Sequence, residues 1–305
     1  MTAGSRAAGS GTIGAAAWPG FALALAGSIS FSGKAIIVKL AYRYGVDAVT
    51  LIMYRMLFAL PMFLLLAWWA GRGKPALTRG DWLAVIGLGF SGYYLASLLD
   101  FMGLAYISAS LERLILYLNP TIVLGLSVLL FKRKVSARQL ISLCVSYAGV
   151  LVVFGQEVDF QGPSVMLGAA LVFGSAMSYA AYLVASGRVV KRLGSLRLTG
   201  LATTVACLFC IAHFLLLRPV SAMAVAPEVL WLSLLNATAC TFAPVLMVMM
   251  AIERLGPTLT AQTGMVGPLS TIALSVWLLG EPFTPVLLLG TALVLSGIWL
   301  LAKWV

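Results

Sequence analysis

The sequence predicts an all-α, polytopic membrane protein of ten transmembrane helices, built as two inverted five-helix repeats with both termini in the cytoplasm. Three observations predict it. First, the 305 residues are 62% hydrophobic and 10% charged, with a mean hydropathy of +1.04. Soluble chains are about half apolar, and so few charges cannot cover a water-facing surface, so most of this surface faces lipid. Second, apolar runs of about twenty residues, the length that crosses a bilayer as a helix, recur between short polar stretches. Third, an offset of 148 residues lays the runs on one another. Gly20 falls on Gly168, Ala22 on Ala170, Leu23 on Leu171 and Ser30 on Ser178; far along, Pro120 falls on Pro268, Ser127 on Ser275, Leu140 on Leu288 and Gly149 on Gly297. Each copy holds five spans, an odd number, so the second copy must stand upside down relative to the first.

Residues 1–17 are Ala, Gly and Ser with Arg6 and no apolar stretch, which predicts a disordered tail and no cleavable signal peptide. The first repeat, 18–155, begins with a span over 18–42, opened by Trp18 and closed by Tyr42-Arg43. The second span, 47–70, stops at the Gly71–Pro75 punctuation, and the third, 81–106, starts beside Arg79 and Trp82. The fourth, 108–131, is interrupted by Asn119-Pro120 and ended by Lys132-Arg133-Lys134; the fifth, 136–155, stops before a link carrying Glu157 and Asp159. The second repeat, 163–303, follows with spans over 163–187, 196–217, 227–252, 257–279 and 284–303. All eight tryptophans fall near span ends, as the headgroup zone favours; none is left to line a central site.

The cations set the expected orientation. Arg6, Arg72, Lys74, Arg79, Lys132, Arg133, Lys134, Arg138, Arg188, Lys191, Arg192, Arg197, Arg254 and Lys303 fall on the amino-terminal side, against Arg43 and Arg218 on the other. That bias places both termini in the cytoplasm. The net charge of +11 therefore reads as a topology signal, and nucleic acid is excluded as a partner. Cys144, Cys207, Cys210 and Cys240 all lie inside apolar spans, where thiols serve as small packing residues. The single histidine, His213, reads as a packing or interface residue. No cofactor and no metal are expected.

Lys34, Arg55, Asp100, Glu112 and Arg113 sit inside the first repeat's spans, each costing about 3 kcal/mol near a helix centre. They must face one another or water. Asp100 and Arg113 form a possible buried pair, which would serve either helix packing or substrate passage. The second copy has Tyr182, Thr203, Val248, Thr260 and Ala261 at the related positions, so the charge belongs to one copy. Pro120 and Pro268 break spans four and nine near their middles, and Pro244 bends span eight, because proline withdraws a donor and crowds the preceding turn. Such bends are expected hinges, and irregular backbone at membrane depth is tolerated where it lines a cavity. Ser30, Lys34, Tyr93, Tyr94, Tyr117, Asn119, Ser178, Tyr179, Asn236 and Gln262 are the candidate substrate-binding residues near that depth. Interhelical packing is the alternative use of such side chains.

Together these residues resemble the EamA branch of the drug/metabolite transporter superfamily over almost the whole chain, from about residue 18 to 303. The resemblance rests on the twin five-span repeat and the opening spans Gly20…Lys34 and Gly168…Tyr182. It rests also on Pro120 and Pro268, and on the Gly280-Glu281-Pro282 turn followed by Thr284 and Gly297. The first copy departs from that turn with Lys132-Arg133-Lys134. The resemblance implies ten helices, a central cavity formed mainly by spans one, three, four, six, eight and nine, and export of small metabolites. Within the branch the chain looks most like the YddG-type exporters of aromatic and other amino acids.

The expected protein is thus a multi-pass exporter in the bacterial inner membrane, working by alternating access on an amino acid, with membrane lipid as its other partner. Lys34 would attract anionic groups, and Tyr94 and Tyr179 would pack on side chains. The sequence specifies neither monomer nor homodimer. A proton-coupled exporter of other amphiphilic metabolites or cationic drugs is the neighbouring alternative, though the first span offers lysines where such carriers use an acid. A membrane-embedded enzyme is the rival from another class, and no cluster of nucleophile, base and metal ligand supports it.

Overall fold

The structure, a computed structural model, describes residues 18–131, 136–255, 260, 263–264 and 266–304. The tail over 1–17, the Lys132-Arg133-Lys134 turn and Gln262 lie outside the described residues. The described chain is helical throughout: α1 Trp18–Tyr42, α2 Ala48–Gly71, α3 Arg79–Gly89, α4 Ala96–Leu104, α5 Ala109–Leu116, α6 Asn119–Phe131, α7 Ala137–Gln161, α8 Ser164–Leu193, α9 Ser195–Leu217, α10 Pro227–Ala237, α11 Ala243–Leu255, α12 Gly267–Leu274 and α13 Pro285–Trp304. A π-helical turn, Phe90–Leu95, joins α3 to α4, and another, Thr238–Phe242, joins α10 to α11. Among the described residues eight helical stretches are long and apolar enough to cross a bilayer, and the shorter apolar Gly267–Leu279 and Pro285–Leu300 follow.

Local chemistry sets the helix ends. Asp47 Oδ1 accepts from the Val49 and Thr50 amides at 3.0 and 3.2 Å, capping α2. Thr78 and Asp81 form a reciprocal box at the start of α3, as Ser136 and Gln139 do for α7. The fifth span does not stop at 155: α7 runs to Gln161, so Glu157 and Asp159 ride on its last turns instead of a link. The sixth likewise runs past 187, to Leu193. Apolar content marks only the greasy part of a helix, whereas helical hydrogen bonding continues until Gly162 and Gly194 take positive φ, 82° and 83°, which glycine adopts without a Cβ penalty.

The packing follows the 148-residue offset. The repeat-related helices α2 and α9 pack on each other, and so do α7 and α13; α1 on α11 is matched by α8 on α4. Each pair is antiparallel. Gly200 lies against Ala67 while Cys207 lies against Met56, so numbers rise along α9 as they fall along α2. The two copies therefore stand in opposite directions about a pseudo-twofold axis. Large apolar side chains and Trp18, Trp68, Trp69, Trp82, Trp231, Trp277 and Trp299 project from the surface, as suits lipid contact.

Glycines let α7 and α13 touch. A Cβ at Gly149 would meet the Gly290 carbonyl oxygen at 2.6 Å and the Val294 amide at 2.9 Å. Small residues at such contacts are how membrane helices associate. Gly149→Val is expected to force the pair apart and lower stability by about 1–3 kcal/mol, read by SDS unfolding in mixed micelles. Gly155→Val, on the same helix with open space around its would-be Cβ, should leave the transition unmoved.

Candidate functional site

The site starts from the broken helices. Pro120 cannot donate to the Leu116 carbonyl, four residues back, as a helical residue would. The chain breaks between α5 and α6, and Asn119 Nδ2 donates to that freed carbonyl at 2.7 Å. Pro268 likewise orphans the Gly264 carbonyl, which accepts from the Tyr117 hydroxyl at 2.9 Å. One break thus supplies the donor that the other lacks. Ser32 Oγ crosses from α1 to the Gly267 carbonyl at 2.7 Å. The π turns Phe90–Leu95 and Thr238–Phe242 are also repeat mates, since 90 plus the offset of 148 is 238, whereas a third, Ser275–Leu279, follows α12. A π turn inserts an extra residue and re-aims the side chains beyond it; Tyr93 from the first and Cys240 and Thr241 from the second face the same space.

That space is a cavity of about 450 Å³ between the two copies, within the range of small-molecule sites. Its charged wall is built from α1, α2, α4 and α5. Lys34 Nζ donates to Asp100 Oδ2 at 2.5 Å and lies 3.5 Å from Glu112 Oε1. Arg113 Nη2 donates to the Phe31 carbonyl at 3.0 Å, with its Nε 3.9 Å from Glu112. Arg55 completes the wall, its guanidinium 5.1 Å from the Phe101 ring centroid. The opposite wall is aromatic and hydroxylic. Tyr93 and Tyr179 line it, both packed on Tyr182, and the Tyr93 and Tyr182 hydroxyls share a hydrogen bond of 3.1 Å. Tyr182 is the repeat mate of Lys34, and Thr203, the mate of Arg55, also lines the space. The same backbone positions thus carry charge in one copy and rings or hydroxyls in the other.

Of the candidates, Lys34, Tyr93, Tyr117, Asn119 and Tyr179 line the cavity, with Asp100 and Arg113. Asp100 pairs with Lys34 and not with Arg113, because Arg113 is drawn to the α1 backbone at Phe31. Tyr94 lies off the cavity, in a 2.6 Å hydrogen bond with His213 Nδ1 and against Phe209. Ser178 Oγ donates to the Ser91 carbonyl and ties two helices together. Ser30 and Asn236 are not among the lining residues, and the Asn236 carbonyl accepts from Thr241. Pro244 is the second residue of α11, one past the π turn that ends at Phe242. Arg55 and Phe63 on α2, with Thr199 and Thr203 on α9, line the space too, so spans two and seven join those the resemblance implied. The signal for Arg55 was its charge within an apolar span.

The end of the bundle holding Tyr42, Ile107, Glu157 and Gly280 is cross-linked by carboxylate hydrogen bonds around a pocket of about 410 Å³. Glu281 Oε1 accepts from the Ala109 amide at 2.8 Å, and its Oε2 from the Ser110 amide and hydroxyl at 3.3 and 2.8 Å. Glu157 accepts from the Ser108 amide and hydroxyl. Both carboxylates therefore hold the N-terminus of α5, where the helix dipole favours negative charge. Lys39 Nζ donates to the Leu104 and Ile107 carbonyls at 3.2 and 2.8 Å, and Arg43 to the Leu279 carbonyl at 2.9 Å.

The profile of the EamA-like transporter family matches residues 18–155 and again 166–303. Uncharacterized transporter YcbK of Bacillus subtilis (strain 168) is 29% identical over 266 residues, covering 84% of each chain. Uncharacterized transporter YetK of the same organism is 24% identical, over 80% of this chain and 75% of its own. An uncharacterized transporter of Archaeoglobus fulgidus is 22% identical over 88% and 92%. One crystal structure superposes with a TM-score of 0.60 at 16% identity, covering 92% of this chain and 95% of the other; that likeness speaks for the fold alone.

Proposed function

This chain belongs to the EamA-like transporter family, and from that premise we propose that it exports amino acids, aromatic and other neutral ones foremost, across the bacterial inner membrane by alternating access. The observation that carries the reading is the two-sided cavity between the copies, with Lys34, Asp100 and Arg113 on one wall and Tyr93 and Tyr179 on the other. Charged groups suit the head of an amino acid, and rings suit an apolar side chain. The cation bias supports cytoplasmic termini. In that orientation the Glu157 and Glu281 ties brace the outer end, and the breaks at Pro120 and Pro268 supply the bending points.

Reconstituted into liposomes, the protein is expected to move labelled phenylalanine and leucine, and to support counterflow. Movement no greater than in empty vesicles, for every amino acid tried, would remove the substrate class. Asp100 and Glu112, both buried beside Lys34, favour a version in which the cycle also carries a proton. Repeating the assay with and without a pH gradient separates the two.

A further inference from the structure

Among the described residues one cation of the cavity has neither an ion pair nor a hydrogen bond of its own. Lys34 is engaged by Asp100, and Arg113 by the Phe31 carbonyl and Glu112. Arg55 is 6% exposed and lines the cavity, yet its Nε and Nη1 have no hydrogen-bond partner among the described residues. The Phe101 ring meets its guanidinium at 5.1 Å, and a ring offers no acceptor for the N–H edge. Asp100 is close but is held by Lys34, and buried N–H donors left unpaired are costly, so the site is incomplete as it stands. The wall also carries Lys34, Arg55 and Arg113 against only Asp100 and Glu112, an excess of one positive charge. That formal excess suits an anionic ligand. The paired N–H donors of a guanidinium match the two oxygens of a carboxylate.

We infer that the cavity takes a ligand bearing a carboxylate, and that Arg55 is the residue that receives it. The inference rests on reading this cavity as the substrate site, and it deepens that reading by fixing which end of the ligand lies against α2. The ring-lined wall at Tyr93 and Tyr179 receives the remainder.

The test uses the full chain purified in detergent and binding of L-phenylalanine, 3-phenylpropionate, which lacks the amine, and phenethylamine, which lacks the carboxylate. The two carboxylates are expected to bind, and phenethylamine at least tenfold more weakly. Arg55→Gln should erase that preference, and Arg55→Lys should retain part of it. Phenethylamine binding as tightly as phenylpropionate overturns the inference, as does the absence of binding by either carboxylate, or a folded Arg55→Gln protein that keeps the preference. Should neither variant fold, the wild-type ligand series decides alone. Phenylpropionate binding without any amino-acid transport leaves the carboxylate site standing and ends the amino-acid reading.

Discussion

Lys34→Met is expected to be the most damaging single change in the protein. It leaves Asp100 and Glu112, 1% and 0% exposed, without the ammonium that lies 2.5 Å from one and 3.5 Å from the other. Removing one member of a buried ion pair costs about 3–5 kcal/mol, a large part of a typical domain's stability. Asp100→Asn should cost less, because Lys34 keeps Glu112 within reach. The double change Lys34→Met with Asp100→Asn should recover part of the loss, giving a favourable coupling in a double-mutant cycle. SDS unfolding measures the stabilities, and liposome transport separates the two uses of the pair. A structural pair predicts that the double variant regains transport along with stability. A pair that serves the substrate predicts a stable protein that no longer transports. Equal costs for the two single changes would contradict the placement of Lys34 between both carboxylates.

Glu281→Gln is expected to loosen the end of the bundle that this carboxylate ties. Glutamine has one acceptor oxygen in place of two, and no charge for the α5 N-terminus. Hydrogen bonds to a charged group contribute about 1.5–3 kcal/mol, so the balance between shut and open should move by about tenfold or more toward open. A cysteine placed at Val153, which lines the pocket beside Glu281 and is buried, in a background without the exposed Cys144, reports this through its rate of labelling by an impermeant maleimide. Unchanged labelling would show that the tie does not govern access. The effect should be specific to that end: labelling beside Pro75, where Arg197 donates to the Pro75 carbonyl at 3.1 Å, should not rise with it.

Much of the fold was legible because lipid dictates composition. Greasy runs and a constant offset report spans and duplication directly, and the pairing of α2 with α9 follows from that duplication. The ends were less legible, since α7 continues through polar residues that hydropathy cannot distinguish from a loop. Of the ten binding candidates read from the sequence, Lys34, Tyr93, Tyr117, Asn119 and Tyr179 line the cavity, while Ser30, Tyr94, Ser178 and Asn236 do not and Gln262 lies outside the described residues. Sequence could not separate Tyr93 from its neighbour Tyr94, because consecutive helical residues point in different directions and the partner, His213, lies in another span. Arg55 was visible only as one of five charges; that it alone of the three cations lacks an acceptor among the described residues depends on how Lys34 and Arg113 settle. The Gly280-Glu281-Pro282 turn was visible as a motif, but its targets are backbone amides, which no residue pattern announces.

The mismatch between Lys34 and its counterpart Tyr182 has a consequence for any guest. In a slot whose facing sides were chemically alike, a molecule could sit equally well head-first or tail-first, and the two poses would interchange under the twofold. Here the likeness ends at the main chain. A guest with one ionic and one greasy terminus has a single comfortable pose in such a slot.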